Sequence, residues 1–160
     1  MMAYTYQLYR FSELTTGLLY DILALRSKIF VVEQNIVYQD ADHKDDKCLH
    51  FCMMDNGKLI GYARLVPPGL KFEDGAIGRI VLEPAYRGKG LGREFMRRAI
   101  DEINNAFPNA PHIVEAQAHM QPFYESLGYQ PITEQYMLEG IMHLKMRFQK
   151  ESPLQSQRAS

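Results

Sequence analysis

From Tyr4 to Leu8 apolar and polar positions alternate, the pattern of a half-buried strand. Leu18, Ile22, Leu25 and Ile29 then recur at helical intervals and predict an amphipathic helix. Leu49 to Met54 and Leu59 to Val66 are two apolar strand runs. Between them stands Asn56-Gly57, a pair that tolerates the positive φ of a tight hairpin turn. Pro67-Pro68-Gly69 stops the second run, and Ala76 to Leu82 predicts a further strand, closed by Pro84. Leu91, Phe95, Ala99, Ile103 and Phe107 recur every fourth residue, so a long helix with one apolar face follows. His112 to Gln117 reads as a short buried strand. Pro122 and Gly128 then fit the first turn and the C-terminal cap of a helix barely two turns long. Two last strands are expected around Gln135 to Leu138 and His143 to Phe148, and from Gln149 the chain is polar. No internal repeat is visible. The order β-α-β-β-β-α-β-α-β-β makes this a mixed α/β domain over residues 1–149, with a polar, frayed tail at 150–160.

Composition narrows the class. A chain of 160 residues with 46% hydrophobic residues suffices for one domain with a real core. A net charge of −1 argues against a nucleic-acid binder or a disordered chain. No basic start leads into an apolar run, and no stretch approaches the ~18 apolar residues of a membrane span, so a cytoplasmic protein is expected. The two cysteines, Cys48 and Cys52, would lie about 13 Å apart on one strand, too far for a disulfide. They are read as reduced packing residues, and no metal-ligand spacing stands out.

The chemistry concentrates at Arg87-Gly88-Lys89-Gly90-Leu91-Gly92, between a predicted strand and a helix start. The free N–H groups of a first helical turn and the helix dipole favour an anion there. Alternate glycines clear the space a phosphate needs, while Arg87, Lys89 and Arg93 add cations. A P-loop would need Ser or Thr after its Gly-Lys, and Gly90 stands there. A dinucleotide fingerprint would need glycine at Arg93 and an acid near Phe107. Neither fits; a pyrophosphate cradle does.

The Arg-x-x-Gly-x-Gly spacing between strand and helix resembles the coenzyme A loop of the GNAT superfamily of N-acetyltransferases. Phe123-Tyr124-Glu-Ser-Leu-Gly128-Tyr129 is similar to the last block of those enzymes, in the right order and spacing. Leu25 to Gln34, with Tyr38, Asp42, Asp45, His50, Glu139 to His143 and Met146, resembles the ElaA family within it, from about Tyr6 to Phe148. The resemblance implies a mostly antiparallel sheet with helices on both faces and central strands splayed to admit acetyl-CoA, with the second early helix reduced to a loop. It implies direct transfer of an acetyl group to a primary amine, with a small amine or peptide as acceptor. Acetyl-CoA would meet backbone groups of Ile80, Val81 and Leu82, its pyrophosphate would lie on Arg87, Gly88, Lys89, Gly90, Leu91, Gly92 and Arg93, and Phe123 and Tyr124 would border the thioester. No metal is implied, and a homodimer is allowed but not specified.

A Tyr124 phenol could donate a proton or hydrogen bond to the departing thiolate. The attacking amine must lose a proton, directly or through water. The glutamate that some relatives carry eleven residues before the loop is here Ala76, and the asparagine frequent before the last helix is absent, with Gln117, His119 and Gln121 nearby. Glu33, His50, His119 and His143 are the candidate bases, and Tyr124, Glu33 and His119 form the working catalytic set. Asp40 to Asp46 could border the acceptor site and favour a cationic amine, or be a solvated loop. Arg26 and Arg79 fall on apolar elements, and a buried arginine needs a carboxylate or carbonyl partner; one of them is expected on the acidic stretch. Two rival functions stand beside the enzyme: a non-catalytic acetyl-CoA sensor, and an acyltransferase like the acyl-homoserine-lactone synthases. Arg26 and Phe30 resemble the front of those synthases, but the tryptophans they use in this region are missing here.

Overall fold

The computed structural model describes residues 4–149, so the expected frayed tail at 150–160 lies outside the described residues. The chain runs β1 (Tyr4–Arg10), α1 (Thr16–Arg26), β2 (Leu49–Asp55), β3 (Lys58–Val66), β4 (Gly75–Leu82), α2 (Leu91–Ala106), β5 (His112–Gln117), α3 (Gln121–Ser126), β6 (Tyr129–Pro131), β7 (Tyr136–Leu138) and β8 (Ile141–Phe148). One eight-stranded sheet in the order β1-β2-β3-β4-β5-β8-β6 takes in β7 on β8. All its pairings are antiparallel except β4 with β5.

The Asn56-Gly57 turn has φ of 48° and 81°, the two positive values that a hairpin matching strand twist requires. Thr15 caps α1 by accepting from Leu18 N at 3.1 Å, a bond worth about 1 kcal/mol. Past Arg26 the helix continues over Ser27–Glu33 with wider, π-type turns. Side-chain periodicity does not foretell this widening; it rotates Glu33 and Gln34 away from a regular helical course. The stretch from 34 to 48 holds a single short turn, Asp45–Lys47, where a second helix was expected to have shrunk to a loop.

Two apolar layers hold the sheet. Ile22, Leu25 and Ile29 pack with Cys52, Leu59, Tyr62 and Val81 on one face. Phe95, Met96, Ala99, Ile100 and Ile103 of α2 pack on the other, against Phe51, Ile60, Leu65, Ile77 and Val114. Burying each of the larger side chains contributes roughly 1.5–3 kcal/mol. Cys48 and Cys52 are both free and buried, and burial pushes both thiols up, to about 11 and about 12. They pack; neither is poised to react. The strand β6 was not expected: three residues ending in Pro131 carry too little pattern to announce themselves.

Candidate active site

β4 and β5 are joined by only two residue pairs, Gly75↔His112 and Ala76↔Ile113. Beyond them β4 stays with β3 as far as Leu82, and β5 runs with β8 as far as Gln117. The facing edges from Ile77 and Val114 onward are therefore unpaired, and the sheet opens into a V. A bulge sits at the opening. Arg64 pairs with Gly78 and Tyr62 with Val81, so Arg79 and Ile80 together oppose one β3 residue. Arg79 carries φ of 49°, a conformation that costs a side-chain-bearing residue about 1–3 kcal/mol and persists only where neighbours enforce it.

Those neighbours are the acidic stretch. Arg79 Nη2 donates to the Asp40 carbonyl at 3.0 Å. Its Nε lies 2.8 Å from Asp40 Oδ1, an ionic contact without hydrogen-bond alignment. Arg26, fully buried, donates to Asp40 Oδ2 at 2.7 Å and to Asp45 Oδ1 at 2.8 Å. Arg64 donates to both Asp42 oxygens at 2.8 Å and to Asp45 Oδ1 at 2.9 Å. Burial pushes the Asp42 and Asp45 carboxyls up, but hydrogen bonds and charges from these arginines outweigh it and hold both below the usual carboxylate range. Both flagged arginines thus pair with the stretch, and Arg64 joins them unannounced. The carboxylates of Asp40, Asp42 and Asp45 are committed to arginines, so the stretch is a welded wall rather than a solvated loop.

At the far end of β4, Gly88 and Gly90 have φ of 78° and 77°, which side-chain-bearing residues avoid. Gly90 caps α2 with no side chain on the free N–H groups of the first turn. A Cβ placed at Gly88, Gly90 or Gly92 meets nothing within 4 Å, so the space above the helix start is open, as a bound diphosphate requires. The three cations are spread around it. Arg87 donates from Nε to the Leu82 carbonyl at 3.1 Å and from Nη1 to Glu33 Oε1 at 2.6 Å. Lys89 lies 5.7 Å from the Tyr86 ring centre. Arg93 stands over Phe123, 5.3 Å from its centre, and donates to Ser126 Oγ at 2.6 Å, pinning α3 to the cradle.

Tyr124 on α3 is buried, edge-on to Phe123 and to Tyr129. Burial pushes its phenol up to about 12, so it keeps its proton, and among the described residues its hydroxyl makes no hydrogen bond. The candidate bases scatter. Glu33 is exposed and faces Arg87 with both oxygens, at 2.6 and 3.3 Å. His119 is exposed on the turn before α3. His143 Nδ1 lies 2.7 Å from the Ile141 carbonyl. His50 is fully buried between Tyr62 Oη at 2.7 Å and the Asp45 carbonyl at 2.8 Å; burial leads in lowering its pKa and keeps it neutral. Missed by sequence reasoning was Glu115, on the V-facing part of β5. A charge inside the apolar run from His112 to Gln117 was the available signal.

Two hollows lie away from the V: about 690 Å³ beside Arg97, Asn104 and Phe148, and about 340 Å³ beside Phe11, Leu23 and Ala41. Neither holds the cradle or the split strands. Among the described residues no cluster of three His, Cys, Asp or Glu is placed to hold a metal ion, and no helix is long and apolar enough to cross a membrane.

The family model of the acetyltransferase (GNAT) domain matches residues 28–150. Protein ElaA of Escherichia coli is 39% identical over 137 residues, covering 84% of this chain and 90% of that protein. Its crystal structure superposes with a TM-score of 0.85 over 93% of this chain and all of its own. An acyl-CoA N-acyltransferase from Pseudomonas aeruginosa is 34% identical, with a TM-score of 0.87 over 92% of this chain and 100% of that one. The AHL synthase LasI, at 11% identity and a TM-score of 0.72 over 92% of this chain and 90% of its own, shares the fold alone. A split sheet beside a glycine-rich helix start, together with these likenesses, makes the chain a GNAT acetyltransferase of the ElaA family.

Proposed function

We propose that the protein transfers an acetyl group from acetyl-CoA directly to a primary amine. The carrying observation is the two-pair junction of β4 and β5, which leaves the backbone of Ile80, Val81 and Leu82 facing an open cleft that leads to the cradle. In this reading the cleft takes the pantetheine arm, and the N–H groups at Leu91, Gly92 and Arg93 take the diphosphate, with Arg87 and Lys89 beside it. An unpaired β4 N–H would face the thioester carbonyl as negative charge grows on it. Tyr124, kept protonated by burial, would donate to the departing sulfur, and Phe123 would wall the pocket. The amine would attack the carbonyl carbon, forming C–N as C–S breaks, with no enzyme-bound acyl group.

A sensor would keep the cradle and transfer nothing, so release of free thiol with amines present separates the two. The lactone-synthase reading has only the shared fold behind it.

CoA added at a hundredfold excess over its dissociation constant should stabilise the protein by about 2.7 kcal/mol, read as a rise in melting temperature. Gly92→Asp should abolish that rise. Unlike Gly88 and Gly90, Gly92 has no positive φ, and its Cβ space is open, so the variant folds while a carboxylate occupies the anion site. An unchanged response in Gly92→Asp would displace the cradle from the reading. No response in the parent protein would remove the reading altogether.

A further inference from the structure

Glu115 lies two residues past the last β4–β5 pair, on the limb of the V formed by β5. Its neighbours Val114 and Ala116 point into the core shared with α2. Glu115 therefore faces the opposite side of the sheet, in line with Ile113 and with Gln117, whose amide donates to Gln34 at 3.4 Å. That is the face on which the arginine-welded stretch sits. The diphosphate cradle and Tyr124 belong to the other face, with α2 and α3.

The carboxylates flanking the site differ in their commitments. Asp40, Asp42 and Asp45 are held by arginines, Glu33 by Arg87, and Glu83 by Lys28. Half-buried Glu115 has one hydrogen bond among the described residues, accepted by Oε2 from the Tyr136 hydroxyl at 2.5 Å, and no ion pair within 4 Å, although the Lys71 ammonium acts on it from farther off. Lys145, its register partner on β8, instead stands over the Phe72 ring, 4.8 Å from its centre, as does Lys71 at 5.3 Å. A carboxylate on the limb of the cleft, held by a tyrosine and touched directly by no cation, is suited to an incoming ammonium group.

We propose that Glu115 receives the acceptor: it binds the ammonium form of a cationic amine and takes one proton from it. The neutral amine then attacks the thioester carbon. C–N forms, C–S breaks, the second nitrogen proton goes to the sulfur leaving as thiol, and the proton on Glu115 passes to water. This rests on the acetyl-transfer reading, and it assigns the proton acceptor to Glu115 rather than to Glu33 or His119.

The test compares Glu115→Gln with the parent protein, using spermidine and a lysine-containing tripeptide as cationic acceptors. Hydroxylamine, uncharged near neutral pH, is the reference nucleophile. Glutamine keeps the shape of the side chain and can still accept from Tyr136, so a purely structural role survives the change. Turnover of the cationic acceptors should fall by about 10²-fold, the low end for a general base, while hydroxylamine transfer changes little. Acetyl-CoA affinity by calorimetry and melting temperature should stay at parental values, and Glu115→Asp should recover part of the loss. Parental turnover in Glu115→Gln, or an equal loss with both kinds of nucleophile, overturns the proposal. So does a parent protein that uses hydroxylamine but neither cationic acceptor. A parent protein that fails to bind acetyl-CoA, or binds it and acetylates nothing, fails the underlying reading instead, and the proposal falls with it.

Discussion

Replacing Tyr124 with phenylalanine is expected to lower acetyl-transfer turnover by about 10²- to 10⁴-fold, the range of a lost proton or hydrogen-bond donor. Acetyl-CoA affinity should hold within about twofold, because in the proposed mechanism the hydroxyl acts mainly as charge grows on the sulfur. The ring is buried edge-on between Phe123 and Tyr129, and phenylalanine refills that space. Among the described residues no partner of the hydroxyl is left stranded, so stability should be unchanged or slightly higher. Steady-state thiol release, calorimetry with acetyl-CoA and a melting curve together check this. Parental turnover in the variant would leave Tyr124 as packing only.

The second large effect is on folding. Arg64 is 1% exposed and ties Asp42 and Asp45 to β3. Arg64→Met should cost about 3–5 kcal/mol, the usual penalty for stranding the partners of a buried ion pair, and chemical denaturation would measure it. A loss under about 1 kcal/mol would mean that the remaining arginines neutralise the stretch unaided. The same network sets the acid limit. Asp42 and Asp45 titrate lower folded than unfolded, so their stabilisation is complete above the unfolded value of about 3.9 and is lost as pH falls from there through their folded values. His50, held neutral by burial, acts earlier: its contribution is complete above about 6.5 and wanes as pH falls below it. Melting temperature should therefore decline gently below about pH 6.5 and steeply below about pH 4. In Arg64→Met the steep limb should shrink, since Asp42 has lost the paired hydrogen bonds that depress it.

Most strands were legible because their burial is two-sided or alternating: β2 and β3 flank an Asn-Gly turn, and α2 repeats every fourth residue for four turns. The cradle was legible because glycine spacing encodes backbone angles, and Gly88 and Gly90 do carry the positive φ that spacing implies. The π-widened end of α1 was not, since hydrogen-bond slippage leaves no mark on residue type. Charges inside apolar runs are the most informative signal, because each needs a partner when buried. One of Arg26 and Arg79 was expected on the acidic stretch, and both pair with it. Arg64 in β3 and Glu115 in β5 obey the same logic, but each is a single charge inside a strand run whose apolar pattern is otherwise unbroken. Which carboxylate stays uncommitted emerged only in three dimensions, because pairing across the sheet joins residues such as Arg64 and Asp42 that sequence keeps apart.

The junction of β4 with β5 has a consequence for the empty protein. Four strands, β1 to β4, and four more, β5 to β8, are fastened to each other along the backbone by two residue pairs at one end. The sheet is thus an arch lacking its keystone. Amide hydrogens along the free edge from Ile77 to Leu82 should trade with solvent deuterium faster than those turned toward β3. A ligand lodged between the limbs should silence that exchange and brace both halves at once. If the acyl donor lodges there as proposed, the protein's mechanical integrity should follow its supply: a starved molecule should be the looser one, cut faster by protease along that seam.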